Sequence, residues 1–300
     1  MKKALAAAAV FFSAVLVYCP PSHAVDTYAA GDAAAGISTS RHNLGGTGLF
    51  TRAGNTTEIC VYCHTPHHSN TLSNIKPLWN RQTETSLATY TAYGTTVAGT
   101  IINNTDLGST TLACLSCHDG LTTFDNLVNA PGKNGVVENG TDRGWTFFTL
   151  DVVASDFMTS SRLNIGVSLS NDHPISVPYS DKVAGLRPTN TIINDIDLTT
   201  DLAVSAFAYD NGNLRNNLWA VKGYISNTAQ ISDLLRETNG SMRVECSSCH
   251  DPHFNNKSWS EVDGTYSDQV SAQEIESNGL FLRRVGGNSG SGVCRTCHNK

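Results

Sequence analysis

Residues 246–253 read Cys246-Ser-Ser-Cys249-His250-Asp-Pro-His253, and residues 60–67 give the same pattern as Cys60-Val-Tyr-Cys63-His64-Thr-Pro-His67. Two shorter copies are Cys114-Leu-Ser-Cys117-His118 and Cys294-Arg-Thr-Cys297-His298. Two thiols separated by two residues reach the two vinyl groups of one haem, and the histidine that follows lies beneath the iron. C-x-x-C-H is therefore the attachment signature of c-type haem. The four motifs predict four covalently bound haem c groups, each with its motif histidine as the proximal iron ligand.

Cysteine use supports this interpretation. The chain has nine cysteines, and eight of them lie in the four motifs. Eight cysteines in an exported chain would by default form a disulfide framework, but disulfides do not require a histidine after every second cysteine. Paired C-x-x-C motifs also bind zinc as two sites of four thiolates, and zinc again leaves the four histidines unexplained. Covalent haem accounts for both residue types.

The sixth iron ligands are predicted to be histidines as well. A c-type haem iron takes its second axial ligand from His or Met. Once a predicted N-terminal signal is removed, the remaining methionines are Met158 and Met242, too few for four haems. The histidines left beside the four proximal ones are His42, His67, His68, His173 and His253. This surplus predicts bis-histidine, low-potential haems with no iron left open to a substrate.

Two of these histidines lie three residues after a proximal one: His67 follows His64, and His253 follows His250. A histidine so placed cannot reach the opposite face of the same haem, but it can reach the iron of a neighbouring haem. The motif therefore predicts closely packed haem pairs. The alternative is a surface histidine near a haem edge, since exposed histidines are common.

The other candidates are less constrained by spacing. His42 and His173 each stand alone upstream of a pair of motifs, and the ligand count assigns both of them to irons. Asp172 is either an orienting partner of His173 or a turn residue before proline. His68 is the candidate that is not needed, although His67 and His68 remain interchangeable at this point.

The lone histidines and the C-x-x-C-H motifs repeat along the chain. A lone histidine, C-x-x-C-H-x-P-H and C-x-x-C-H occur twice in that order, which predicts a doubled two-haem module. The predicted fold class is a multihaem cytochrome c, mostly coil with short helices and a few short strands wrapped around a chain of four stacked haems. Strands are predicted at 145–153 and 191–198, and a short helix at 228–237 that ends before Gly240. The predicted divisions are a signal peptide at 1–24, a first dihaem module at 25–130, a haem-free Asn/Thr/Gly-rich connection at 131–172, and a second dihaem module with a haem-poor N-terminal insertion at 173–300.

The N-terminus predicts export. Lys2 and Lys3 precede a short apolar run, and a small-x-small cleavage pattern ends at Ala24. Cys19 offers a lipoprotein alternative, which the bulky tyrosine before it disfavours. Losing the two lysines changes the formal charge from −6 to −8, which argues against nucleic acid as a partner. The predicted location is extracellular or at the cell surface, with the periplasm as the alternative.

The four C-x-x-C-H motifs, the two C-H-x-P-H extensions, His42 and the His-Pro-Ile-Ser-Val run that begins at His173 resemble the doubled-C-x-x-C-H multihaem c-type cytochromes. In size, haem count and order the chain looks most like the tetrahaem OmcE-type extracellular nanowire cytochromes of metal-respiring bacteria. The resemblance covers both haem pairs but not residues 119–171. It implies subunits that polymerise end to end into one stack of bis-histidine haems, with one axial histidine donated by the adjacent subunit. We expect that donated ligand to be His42.

These observations favour an electron carrier that is not an enzyme: the repeating subunit of a conductive filament for extracellular electron transfer. Its expected partners are identical subunits, upstream periplasmic or outer-membrane cytochromes, and extracellular electron acceptors. A monomeric periplasmic shuttle is the alternative, although a charged docking face is typical of shuttles and only 15% of these residues are charged. A multihaem reductase needs a five-coordinate haem, which the histidine count disfavours.

Overall fold

The structure is a computed structural model that describes a subset of the chain. Described are residues 37, 42–44, 59–67, 69, 78–81, 89–96, 99–122, 124, 127–129, 158, 163–172, 174–199, 217–254, 281–284 and 287–299. The predicted signal peptide, the predicted strand at 145–153, His68 and His173 lie outside the described residues. In the part of the chain described, no helix has the length and apolar character needed to cross a membrane.

Each C-x-x-C pair lies on a short helical segment. The helices are α1 (Ser109–His118), α2 (Ile231–Leu234), α3 (Cys246–Cys249) and α4 (Gly292–Cys297). The first pair begins in a 3₁₀ turn at Ile59–Tyr62, and further 3₁₀ turns lie at Asn104–Asp106, Ile193–Asp195 and Ser289–Ser291. Side chains three residues apart in a helix share one side, so a helical turn presents both thiols of a pair in the same direction.

Local sequence explains the short length of α3. The backbone N–H of Glu245 bonds to Ser248 Oγ at 2.9 Å, which closes the first turn of the helix. His250 is already extended, with φ −112° and ψ 145°. Pro252 follows, and a proline disfavours helical backbone at the residue before it. The helix therefore ends immediately before His250, and the Asp-Pro-His segment that follows is not helical.

The strands are two to four residues long. They are β1 (Gly94–Thr95), β2 (Ile101–Ile102), β3 (Val177–Pro178), β4 (Trp219–Val221), β5 (Tyr224–Ser226), β6 (Arg236–Thr238) and β7 (Ser241–Val244). All pairings are antiparallel: β1 with β2, β4 with β5, and β7 with both β3 and β6. The described fold thus consists of small hairpins and short helices joined by irregular chain.

Two local predictions are wrong in whole or in part. The predicted helix at 228–237 is confined to α2, and Arg236 already begins a hairpin. Its turn is Asn239-Gly240, with φ 52° and 71°, and an Asn-Gly pair with two positive φ values is the preferred two-residue hairpin turn. The Gly240 assigned to a helix end therefore belongs to a β-turn. The predicted strand at 191–198 contains a 3₁₀ turn at Ile193–Asp195 instead.

The core consists of small apolar clusters that anchor the helical segments. One cluster gathers Trp219, Ile231 and Leu234, and Cys297 of α4 packs against it. Another includes Tyr90, Leu107, Leu115 and Leu169, and Leu115 lies between the two cysteines of α1 in sequence. Cys114, Cys117 and Cys297 therefore lie on helices that the apolar clusters hold in place.

Polar contacts join the two halves of the chain. Thr111 on α1 donates its hydroxyl to the buried carboxylate of Glu245, the residue before α3. Arg243 Nη2 lies 3.0 Å from Asp106 Oδ1, and Asn239 Nδ2 donates to the Thr105 carbonyl at 3.2 Å. The second and third motifs are consequently packed against each other although more than a hundred residues separate them.

Candidate functional site

The cysteines of successive motifs lie close together. Burial, with the neighbouring Cys117 as the next cause, raises the pKa of the Cys63 thiol to about 12. Burial and Cys297 likewise raise the pKa of Cys249 to about 12. Cys114 and Cys246 share a hydrogen bond, which raises the pKa of the first thiol and lowers that of the second.

These contacts give the four motifs a spatial order. The first motif neighbours the second, the second neighbours the third, and the third neighbours the fourth. All eight cysteines are free thiols in the structure. The four C-x-x-C-H motifs therefore follow one another in space in the same order as in sequence.

One pair of histidine rings combines the first motif with the third. The rings of His64 and His253 have centroids 6.1 Å apart and planes 12° from parallel. His64 is the histidine of the first C-x-x-C-H motif, whereas His253 is the second histidine of the C-H-x-P-H segment that contains His250. The ring of His253 therefore lies near the histidine of another motif.

A second pair combines the second motif with the lone upstream histidine. The rings of His42 and His118 have centroids 6.3 Å apart and planes 84° from parallel. His42 also stacks on Phe281, with centroids 4.2 Å apart. Burial, and next the proximity of His118, lowers the pKa of His42 to about 4, so its imidazole is neutral at physiological pH. A neutral imidazole is the form that binds a metal.

Both ring pairs have the spacing that two axial ligands require. Imidazole nitrogens bind metals at about 2 Å, so two rings on opposite sides of one metal have centroids about 6 Å apart. The stack of His42 on Phe281 is closer, at 4.2 Å, as expected of rings with nothing between them. The donor set also fits, since each pair contains one histidine that directly follows a C-x-x-C. The residues present thus fit a haem iron at each of these two positions.

Hydrogen bonds fix the orientation of three of these rings. His253 Nδ1 lies 3.1 Å from Asp251 Oδ1, and His118 Nδ1 lies 2.7 Å from the Leu163 carbonyl. The ring of His42 bonds to the Pro252 carbonyl. Metal-ligating histidines commonly donate their second ring N–H to a carboxylate or a carbonyl, which fixes the tautomer and the ring plane.

The remaining candidate ligands are differently placed. His250 and His298 are exposed, and each forms a backbone bridge, to Leu282 and Leu186 respectively. His67 is also exposed. The structure therefore brings together two histidine pairs, each with one motif histidine, and the distal ligands of the third and fourth motifs stay a prediction from the sequence.

The position of His42 differs from the one we expected of a ligand donated to another subunit. His42 is packed inside its own chain, between His118 and Phe281. The Pro252 carbonyl holds its ring in that place. The placement gives no support to His42 as the donated histidine and instead makes it a candidate ligand within the chain.

Sequence reasoning missed the buried charged residues around these sites. Arg81 is fully buried and donates to the carbonyls of Ser116 and Phe124, at 2.8 to 3.1 Å. Its charge lies close enough to Cys63 and Cys117 to oppose the rise in their pKa. An isolated arginine between motifs carries no sequence signal that would separate it from a surface residue.

The chain matches no model of a known protein family and no curated protein. Within the described ranges, no group of three or more His, Cys, Asp or Glu side chains is arranged to hold a metal ion. A functional assignment therefore rests on the four motifs and on the two histidine pairs.

Proposed function

We propose that the chain is a tetrahaem c-type cytochrome that transfers electrons through bis-histidine haems, as the repeating subunit of an extracellular conductive filament. The observation that carries the proposal is the opposition of two histidine rings, at 6.1 and 6.3 Å, at each of two C-x-x-C-H motifs. Bound at these motifs, haem would supply an iron that takes up and releases one electron.

The protein side chains would bind the haems covalently and supply the ligands of their irons. The eight cysteines form the covalent attachments, and His64, His118, His250 and His298 are the proximal ligands. His253 and His42 would be the second histidine ligands at the first two sites, each opposite the motif histidine with which it is paired. At these two sites a histidine on each face would leave no coordination position for a substrate, and His67 and His173 are the predicted distal ligands of the other two, which is why the proposal is a carrier and not an enzyme.

The order of the motifs supports a continuous path for electrons. Cys114 and Cys246 are in hydrogen-bond contact, and the thiol pairs Cys63–Cys117 and Cys249–Cys297 are close enough to perturb each other. His253 is contributed by the segment of the third motif but faces the first motif. This contact joins the segment of the third motif to the histidine of the first motif and fixes their separation.

Assembly into a filament is the further part of the proposal. The low charged fraction, 15% of the chain, suits permanent packing of identical subunits better than transient docking. Electrons would enter from periplasmic or outer-membrane cytochromes and leave to extracellular acceptors. The alternative is a monomeric periplasmic shuttle that uses the same four haems.

The first experiment separates the parts of this proposal. Mass spectrometry and haem spectroscopy of the exported protein should show four covalent haems, all low spin. A haem-free chain, or one that binds zinc through its cysteines, would refute the cytochrome assignment. Electron microscopy of the native protein sheared from cells should show uniform filaments with a subunit-scale repeat. Dispersed monomers that retain all four haems would refute the filament and favour the shuttle.

A further inference from the structure

We propose that Asp251 is a positioning residue for His253 and sets the reduction potential of the His64/His253 site below that of the His118/His42 site. This inference rests on the proposed function, because it requires an iron between each pair of rings. It goes further in assigning unequal potentials to two neighbouring sites and in naming the side chain responsible.

The carboxylate of Asp251 is fixed from two sides. Its Oδ1 lies 3.1 Å from His253 Nδ1 and accepts the backbone N–H of the same residue at 3.0 Å. Its Oδ2 lies 3.0 Å from Nη1 of Arg283. Asp251 is 5% exposed and Arg283 is 7% exposed, so water does not compete effectively for the ion pair between them, whereas the His253 side chain is 43% exposed. One buried carboxylate thus aligns the ring and the backbone of His253 together.

The acceptors at the other site are neutral. His118 Nδ1 faces the Leu163 carbonyl at 2.7 Å, and the ring of His42 bonds to the Pro252 carbonyl. A carboxylate acceptor makes an imidazole a more basic and more strongly donating ligand than a carbonyl does. Stronger donation stabilises ferric over ferrous iron, and hydrogen bonding around the axial ligand is one of the means by which proteins set haem potentials. The carboxylate therefore lowers the potential at the His64/His253 site.

Arg283 opposes this effect but does not cancel it. Its guanidinium bonds to the far oxygen of Asp251, whereas the ring of His253 contacts the near one. Coulomb energy falls with distance, so the nearer negative charge dominates at the ring. Arg283 also donates to the carbonyls of Ser247 and Ala220, which fixes its charge in the chain.

The first C-H-x-P-H segment shows that the motif alone does not require this carboxylate. The residue equivalent to Asp251 is Thr65, whose hydroxyl donates to the His67 carbonyl at 2.9 Å. A threonine in that position fixes the backbone of the following histidine and supplies no charge to its ring. The aspartate is thus a feature of the segment whose histidine faces His64.

The test is a redox titration of the purified four-haem protein and its Asp251→Asn variant, followed by electron paramagnetic resonance. Asparagine keeps the size and an acceptor oxygen but removes the charge. Near-parallel imidazole planes give a rhombic low-spin ferric spectrum, and crossed planes give a signal dominated by one large g value. The 12° and 84° pairs therefore have distinguishable signals. We expect the midpoint of one rhombic signal to move to higher potential and that of the crossed-plane signal to stay.

The matched control is Asp106→Asn. Asp106 pairs with the buried Arg243 at the same 3.0 Å, but neither residue hydrogen-bonds to any histidine among the described residues. This variant should leave all midpoints unchanged. Equal shifts in the two variants, or an unshifted Asp251→Asn variant, would overturn the proposal.

Two further measurements keep the test decisive if the asparagine variant loses a haem. Asp251→Glu restores the charge, so its midpoints should resemble those of the unaltered protein, and a shift to higher potential would contradict the proposal. The crossed-plane signal is assigned by comparison with the Phe281→Leu variant, which removes the ring stacked on His42 and should change that signal. The order of reduction is then measured in the unaltered protein. That signal should disappear on reduction before at least one rhombic signal does, and the reverse order would overturn the inference. Absence of low-spin signals from the unaltered protein would instead refute the cytochrome assignment itself.

Discussion

The two C-H-x-P-H segments share a sequence pattern but differ in structure. In the segment at 60–67, the Thr65 hydroxyl and the Asn129 side chain both donate to the His67 carbonyl, and the His67 side chain is exposed. In the segment at 246–253, the ring of His253 is held by Asp251 and faces His64. One segment holds only the backbone carbonyl of its last histidine, and the other holds both the ring and the backbone N–H. The residue between His and Pro in the motif, Thr65 or Asp251, determines which atoms of the last histidine are hydrogen-bonded.

The residues that support the two segments differ in the same way. Asn80 is fully buried, donates to the Val61 and Asn129 carbonyls at 2.6 and 2.8 Å, and thereby supports the first segment with a neutral amide. The second segment is supported by Arg283, which joins Ser247, Ala220 and Asp251. The comparison shows that two copies of one motif can be stabilised by neutral and by charged networks, with different consequences for mutation and pH.

The largest expected difference is between the two histidines themselves. His253→Ala should convert one of the four haems from low to high spin, because it removes the ring opposite His64. His67→Ala should leave the near-parallel His64/His253 signal intact, because the ring paired with His64 is that of His253. Optical and electron paramagnetic resonance spectra of both variants check this. Loss of the near-parallel signal in His67→Ala, with no effect of His253→Ala, would reverse the assignment.

The supporting residues should differ next in their contribution to stability. Arg283→Met leaves the Asp251 carboxylate buried without its guanidinium partner, which costs about 3–5 kcal/mol of unfolding free energy. Asn80→Ala removes hydrogen bonds from buried carbonyls and costs about 1–3 kcal/mol. Denaturant unfolding followed by circular dichroism measures both values.

The control for this pair is Lys222→Met. Lys222 contacts Asp233 at 2.7 Å, but the lysine side chain is 64% exposed. An exposed ion pair contributes about 0–1 kcal/mol, so this change should be nearly silent. A cost for Lys222→Met equal to that for Arg283→Met would show that burial does not distinguish the two ion pairs.

A pH effect is expected from the residue before the third motif. Burial raises the pKa of Glu245 above its usual 4.5, although hydroxyl groups of Thr111 and Ser176 partly oppose the rise. The folded protein therefore holds the proton more tightly than the unfolded chain. This contribution to stability is fully present below the unfolded pKa and is lost as the pH rises through the folded one. The first segment has Ile59 in this position, which does not titrate.

Glu245→Gln should remove that dependence. Between about pH 4.5 and neutrality, the unaltered protein should lose stability relative to the variant, by at most about 1.4 kcal/mol per pH unit for a single proton. Unfolding midpoints measured at several pH values provide the test. Parallel stability curves for the two proteins would show that Glu245 does not titrate in this range.

The smallest effect is expected at Thr65. Thr65→Val removes the hydroxyl that donates to the His67 carbonyl and should cost about 1 kcal/mol. Haem potentials should be unchanged, in contrast to Asp251→Asn, because the hydroxyl does not bond to a ring nitrogen. A potential shift of similar size in both variants would show that the residue in this position acts through the backbone and not through charge.

The sequence predicts those parts of the site that depend on neighbouring residues. C-x-x-C-H predicts attachment cysteines and proximal histidines because the proposed chemistry requires a fixed local spacing. The pairing of His42 with His118, and of His253 with His64, depends on contacts between distant segments that spacing does not encode. For the same reason, nothing in the sequence marks Arg283 as the residue that holds Asp251.

The errors in secondary structure have a related cause. Gly240 was assigned to a helix end because glycine commonly follows helices, but the preceding Asn239 makes the pair a hairpin turn, and Ser241 pairs back to Thr238. The alternation at 191–198 satisfied the pattern of a strand, yet the chain turns at Ile193–Asp195. Short polar elements have little periodicity, so turn residues determine their course more than apolar pattern does.

The position of His253 has a consequence for how the protein is made. Under the proposed function the chain is exported from its N-terminus, so the first motif would reach the site of haem attachment well before residue 253 does. Until the third motif follows, His64 would face an iron whose other side has no protein ligand from that distant segment. The first site would then be complete only after the C-terminal half of the chain has emerged and packed against the N-terminal half. The order of residues along the chain would then determine when the first site is completed. A translation product that ends before residue 246 would retain the first C-x-x-C-H motif but would lack His253, the second ligand of that site.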